Sequence, residues 1–156
     1  MNAGDRGHLP VWRQRALAAL LLAGLAAAAQ AIDNPDAPDR VAAFAGRAAP
    51  LEQQLAATDG GSAAVRAGRA YADFLDAELN TAYQALLARL QPPARAALVE
   101  SQRRWLRFRD GEQAFISQQW TAERHGSSAS LSVAGYRNAL VRQRVVQLLQ
   151  YSADYP

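Results

Sequence analysis

His125 is the first residue to test for chemistry, because three hydroxyls, Ser127, Ser128 and Ser130, follow it closely. A serine nucleophile needs a base within hydrogen-bond reach and a sharp turn that presents its oxygen, and no glycine-flanked elbow surrounds these serines. A polar connection between helices explains them without catalysis. Glu123 and His125 stand two positions apart, which on a helix puts them on different faces, so they do not make a ligand pair for a metal. Paired carboxylates for glycoside cleavage depend on a separation through space that spacing along the chain does not give. Cysteine is absent, which removes disulfides, thiolate ligands, a cysteine nucleophile and a lipid-bearing cysteine. The residues read as those of a non-enzyme, with no cofactor and no metal.

The stronger signal is polar residues placed among apolar ones. At 100° per residue, Leu98, Trp105, Ile116 and Trp120 fall within about 60° of one another on one helix; Gln102 and Arg109 fall inside that arc, with Glu112 at its edge and Phe115 further to the same side. On the preceding helix Leu75, Leu79, Leu86 and Leu90 share a face, with Asp76, Asn80 and Tyr83 on its flank beside Leu87. On the last helix Val133, Tyr136, Leu140, Leu148 and Tyr151 align, with Arg144 among them. Amphipathic helices keep arginine off the seam, because burying an unpaired charge costs several kcal/mol. Two seam arginines, with Asp76 and Glu112 able to face them, predict bidentate ion pairs between helices. Cross-bracing and a ligand-facing cluster both fit that pattern.

The elements that position these residues are helices. Alanine holds 36 of 156 positions and Gly plus Pro only 17, a composition that favours helix over sheet. Asp39 caps a predicted short helix to Ala48, interrupted at Pro50, and a second short stretch runs to Ala57. Gly60-Gly61 stops it. Ser62 then caps a predicted long helix to about Leu90, Pro92-Pro93 opens the next from Ala94 to about Arg124, and Gly126 lies just past its end. Residues 126–130 read as a polar loop, and Ser132 caps a last helix to about Tyr151. The expected fold is all-α, a small antiparallel helical bundle of three long helices, a hairpin plus a third, with a short N-terminal helical extension.

Residues 1–31 read as an address rather than as fold. Arg6, Arg13 and Arg15 precede an apolar run from Ala16 to Ala29, and Ala29-Gln30-Ala31 is a small-x-small cleavage pattern, so a secretory signal peptide cut after Ala31 is expected. The run is shorter than the roughly 20 residues a membrane-spanning helix needs. Export to the periplasm or outside follows, with no stable membrane anchor once the leader is removed. Residues 32–61 then form the N-terminal extension, residues 62–151 the helical domain, and residues 152–156 a tail. All 17 basic residues are arginine, against 14 acidic ones, for a net +3. Removing the leader takes away three arginines and one aspartate and leaves +1. That offers no concentrated basic stripe, so nucleic acid is not an expected partner.

The linked pattern Asp76-x-x-Leu79-Asn80-x-x-Tyr83, then Leu98-x-x-x-Gln102-x-x-Trp105-x-x-x-Arg109-Asp110-x-Glu112, then Arg144-x-x-x-Leu148 resembles the lysozyme inhibitor LprI-like domain family, over roughly residues 64–151. The resemblance implies an exported helical protein that inhibits lysozyme, a peptidoglycan muramidase, by occluding its cleft. A non-catalytic envelope module that binds a protein partner or the cell wall is the alternative. The family pattern also carries cysteines, at places held here by Gln113 and Tyr136, with a further one expected around Ala67. This chain is therefore a cysteine-free member, and its stability must come from packing and polar pairs instead of cross-links.

An inhibitor needs a rigid surface rather than catalytic groups. The segment from Arg124 to Ser130, with His125, Ser127 and Ser128, is the candidate target-contact loop, because it is short, polar and flanked by two long helices. Arg124 or a loop serine is placed to meet an enzyme carboxylate. Lysozymes are commonly basic, and a partner at +1 gains no long-range steering from its net charge.

Overall fold

The computed structural model describes residues 38–153. The expected leader, its cleavage after Ala31, residues 32–37 and the last three positions, 154–156, lie outside the described residues. Every element described is helical. Helix α1 spans Arg40–Ala56, α2 Gly61–Arg89, α3 Pro92–Gln119, α4 Ala122–His125 and α5 Ala129–Ala153, with a 3₁₀ turn at Gly126–Ser128 between the last two. Among the described residues no helix is long and apolar enough to cross a membrane.

Asp39 caps α1 as expected, its carboxylate accepting the Ala42 amide at 2.8 Å and so satisfying one of the unpaired donors of the first turn. Pro50 does not interrupt the helix; α1 runs through it as one element. A mid-helix proline costs about 3 kcal/mol through the lost amide and a clash with the carbonyl four residues back. Gly46 stands at that position. Leu51 and Leu55 beyond the proline pack against the core, so tertiary packing outweighs the local cost.

The turn before α2 also differs from expectation. Gly60, not Ser62, holds the cap position, and Gly60 and Gly61 both have positive φ, 97° and 64°, a conformation that glycine adopts without a Cβ penalty. Ser62 is an exposed residue of the first turn. At the other end, Arg95 donates to the Leu87 carbonyl at 3.2 Å, filling an acceptor that the last turn of α2 leaves open.

The core lies between α2 and α5, with α1 across both. Phe44, Leu75, Val145 and Leu148 are fully buried, and Leu86 nearly so. Helix α3 leans on α5 and does not pack broadly on α2, so the expected α2–α3 hairpin is not the main contact. The physical reason is on the helix faces. The face of α5 that turns inward carries Asn138, Val141, Val145, Leu148 and Ser152, and these meet the Leu75–Leu79–Leu86 stripe of α2. Only Leu98 and Ile116 of α3 are buried. The expected seams hold in part: Leu75, Leu79, Leu86, Leu98, Ile116, Arg144 and Leu148 are buried, whereas Phe115, Tyr136 and Tyr151 are 58%, 47% and 42% exposed.

Helix α3 also ends at Gln119 rather than near Arg124. The Trp120 amide still donates to Ile116 at 3.0 Å, after which Thr121 turns extended and its carbonyl accepts from Arg124 and His125. Gly126, with φ 64°, closes the short α4. The expected loop at 126–130 is a 3₁₀ turn that runs directly into α5, which begins at Ala129 and not at a Ser132 cap.

Candidate functional site

The family-pattern residues fall into two groups. Arg144 is 5% exposed on α5. Its Nε donates to Gln102 Oε1 at 3.1 Å, Nη2 to Ser101 Oγ at 3.3 Å, and Nη1 to Gln147 Oε1. Trp105 lies between two cations, with the Arg144 guanidinium 5.8 Å and the Arg109 guanidinium 5.6 Å from its ring centre. Arg109 in turn gives both Nε and Nη2 to Asp110 Oδ1, at 3.0 and 2.7 Å. Gln102, Trp105, Arg109, Asp110 and Arg144 therefore form one connected network where α3 meets α5. Leu79 is a core residue and Tyr83 packs against the core.

Asp76 and Asn80 are exposed on α2, and Glu112 is half-buried on α3. The expected inter-helix ion pairs of Arg109 and Arg144 with Asp76 and Glu112 do not form. Among the described residues Arg144 has no carboxylate partner, and Arg109 pairs with its own neighbour. Helix α3 does not pack broadly on α2, and Asp76 and Arg109 line the space between them. Burial pushes the Arg144 pKa down, with the Tyr151 charge opposing. Neutral amide and hydroxyl oxygens meet its donors without a second charge to desolvate.

The bidentate inter-helix pair is found elsewhere. Arg47 on α1 donates through Nε and Nη2 to the two Glu78 oxygens on α2, at 2.8 and 2.7 Å. Deeper, Tyr71 Oη donates to Glu52 Oε1 at 2.6 Å, and Arg142 Nε donates to the same oxygen at 3.1 Å. This triad joins α1, α2 and α5. Burial first, and then the bond to Glu52, push the Tyr71 pKa up to about 12. The Tyr71 bond, and next Arg142, hold Glu52 below the usual carboxylate range.

That network sets a pH dependence. The folded chain keeps the Tyr71 proton up to about pH 12, whereas the unfolded chain loses it near 10, so this stabilisation is complete below pH 10 and is lost as pH rises through 12. At 1.36 kcal/mol per pKa unit, roughly 2–3 kcal/mol disappears across the window. Glu52 acts oppositely, contributing above about pH 4 and failing as pH falls through its depressed pKa. Urea melts at pH 9 and pH 12 should show the alkaline loss in the wild type and a markedly smaller one in Tyr71→Phe; equal losses would remove Tyr71 from the account.

At the opposite end, residues 120–130 form a compact knob. Residues 122–128 are all exposed, yet each turn is tied down. Trp120 packs on Tyr136 with ring centres 4.6 Å apart, on Phe115 edge-on at 6.2 Å and on His125 at 6.2 Å. Ser128 Oγ donates to the His125 carbonyl at 3.0 Å, and Arg124 donates to Gln119 Oε1 at 3.3 Å. Arg124, His125, Ser127 and Ser128 thus lie together on one exposed segment, with Ser130 exposed on the first turn of α5. Tyr136, at one of the places where the family pattern has a cysteine, serves as the aromatic brace of this knob.

Sequence reasoning missed Asn138, 7% exposed, whose Nδ2 donates to the Gly68 carbonyl at 3.4 Å. Its spacing of three before Val141 and seven before Val145 was the available signal. It also missed Glu52, Tyr71 and Arg142, which carry no family pattern.

The model of one protein family, lysozyme inhibitor LprI, matches residues 51–148. The chain belongs to the lysozyme inhibitor LprI family. The match begins inside α1 and ends near the end of α5, so the network around Arg144 and the knob both lie within it. No curated protein and no solved structure matches the chain.

Proposed function

We propose that this LprI family member is an exported inhibitor of a lysozyme-type muramidase, acting by seating the knob at residues 121–130 in the enzyme's cleft. The observation that carries this reading is the knob itself: exposed on every turn from Ala122 to Ser128, yet held by the Trp120 stack and two side-chain hydrogen bonds. A protrusion ordered before binding loses little conformational entropy on docking, which favours affinity. Arg124 offers a guanidinium suited to the carboxylates of a muramidase cleft. The family name supports lysozyme as the target, and the leader pattern at residues 1–31 supports export.

Lysis of a cell-wall suspension by c-type and g-type lysozymes should slow at micromolar concentrations of the protein. Arg124→Glu should raise the concentration needed by about 30-fold, the effect of losing an interface anchor worth about 2 kcal/mol. Arg124 is exposed and gives up only its 3.3 Å bond to Gln119, so the variant's helical content and melting temperature should stay close to the wild type. Gln119→Ala, which loses the same bond, should keep full potency. Undiminished lysis by both enzyme types would sink the proposal, and full potency of Arg124→Glu would move the contact away from the knob.

A further inference from the structure

The stand-off of α3 from α2 opens a groove of about 480 Å³, floored by the start of α5, within the size range of small-molecule sites. Of the knob residues it touches Ser130, at its rim. Its walls carry Arg69 and Asp76 from α2, Arg109 and Gln113 from α3, and Arg137 and Asn138 from α5. Three cations thus face one carboxylate. Leu131, Ala134 and Val141 supply apolar surface between them.

The polar groups of this groove are short of partners. Arg137 spends Nη2 on Ser117 Oγ at 2.7 Å, while its Nε is buried with no acceptor among the described residues. A buried guanidinium N–H without an acceptor is costly and rare, and none of the described residues satisfies this one. Arg109 commits Nε and Nη2 to Asp110, and its Nη1 has no hydrogen-bond partner among the described residues. Arg69 and Asp76 make no hydrogen bond or ion pair among the described residues.

We propose that this groove binds the end of a short peptide as a zwitterion. The terminal carboxylate meets Arg137 and Arg109, the ammonium meets Asp76, and small side chains rest on Leu131 and Val141. Planar guanidinium donors match a carboxylate. Asp76 opposes a compact dianion such as phosphate, and the side-chain amides of Gln113 and Asn138 suit peptide groups.

The test is calorimetric titration of the full chain with trialanine bearing free termini. Saturable binding with a Kd of about 1 mM or tighter is expected. The C-terminal amide of trialanine should bind at least tenfold more weakly, as loss of a charge-assisted contact predicts. Arg137→Gln should abolish binding. Should that variant fail to fold, Asp76→Asn, an exposed change with no contact to lose, carries the test: it should weaken trialanine about tenfold and leave N-acetyl-trialanine unaffected. Absence of saturable binding by trialanine, equal binding of the amide, or inorganic phosphate binding in preference to trialanine would each overturn the proposal. None of these readouts involves a muramidase, so the groove is tested separately from inhibition.

Discussion

Phe44→Ala is expected to lower the unfolding free energy by about 3–5 kcal/mol, the range for truncating a buried phenylalanine. Phe44 is fully buried, stacks nearly parallel on Phe74 with ring centres 6.1 Å apart, and has the Arg142 guanidinium 5.8 Å from its ring centre. Its removal empties a site bounded by rigid helices that cannot close over the space, so the cavity cost adds to the lost transfer energy. A melting temperature lower by on the order of 10–20 °C should follow. The residue lies ahead of the family match, which starts at residue 51, and within what the sequence presents as an extension. Phe115→Ala is the control. It removes the same ring from a site 58% exposed, and should cost well under half as much, chiefly through the edge contact with Trp120. Equal melting of Phe44→Ala and the wild type would show that α1 is not part of the core.

Arg144→Ala should cost about 2–4 kcal/mol, while Arg109→Ala should stay within about 1 kcal/mol. Arg144 is 5% exposed and gives three hydrogen bonds to Gln102, Ser101 and Gln147, with its guanidinium on the Trp105 face. Truncation removes those bonds and the cation–π contact and leaves a void beside Trp105. Arg109 pairs with the exposed Asp110 beside it in sequence, an arrangement worth little in water. Arg144→Lys should recover only part of the loss, since an ammonium cannot serve three acceptors spread around a planar fork. Chemical denaturation of the three variants measures the ranking; an Arg109→Ala loss equal to that of Arg144→Ala would mean that the two guanidiniums act as one unit through Trp105.

The helical character of the chain and the polar pattern of the family were legible from residue types and spacing. So were the Asp39 cap and the proline start of α3, because caps and first-turn prolines act within a few residues. Other local readings failed for one reason. Pro50 stays inside α1 because Leu51 and Leu55 gain contacts with the core that no local rule counts. Helix α3 stops at Gln119 without glycine or proline, because Trp120 leaves the helix path to stack on Tyr136 and His125. The spacing of α5 points to Val133, Tyr136, Leu140, Leu148 and Tyr151 with Arg144 among them; Arg144 and Leu148 are buried, but Asn138, Val141 and Val145 face inward in place of Tyr136 and Tyr151. Alanine-rich helices leave several faces nearly equal in apolar content, so periodicity alone does not choose among them.

The missing cysteines have a structural counterpart. Tyr136 packs on Trp120 at 4.6 Å, Gln113 lines the groove, and Arg47–Glu78 and Glu52–Tyr71–Arg142 tie α1 to its neighbours. These polar ties use arginine wherever a cation is needed, and its planar fork meets two oxygens at once.

By itself the amino-acid sequence determined that this is an all-α chain, that it carries the linked lysozyme inhibitor LprI pattern, and that it holds together without a cross-link. Composition, caps and short-range spacing suffice for those, since each acts over a few residues. Only the tertiary structure decided the partners. It put Arg144 on neutral amides instead of carboxylates, made α1 part of the core, turned a supposed loop into a braced knob, and opened a groove by standing α3 away from α2. Those outcomes depend on which faces of nearly equal helices win burial, a competition settled by contacts between residues far apart in the chain.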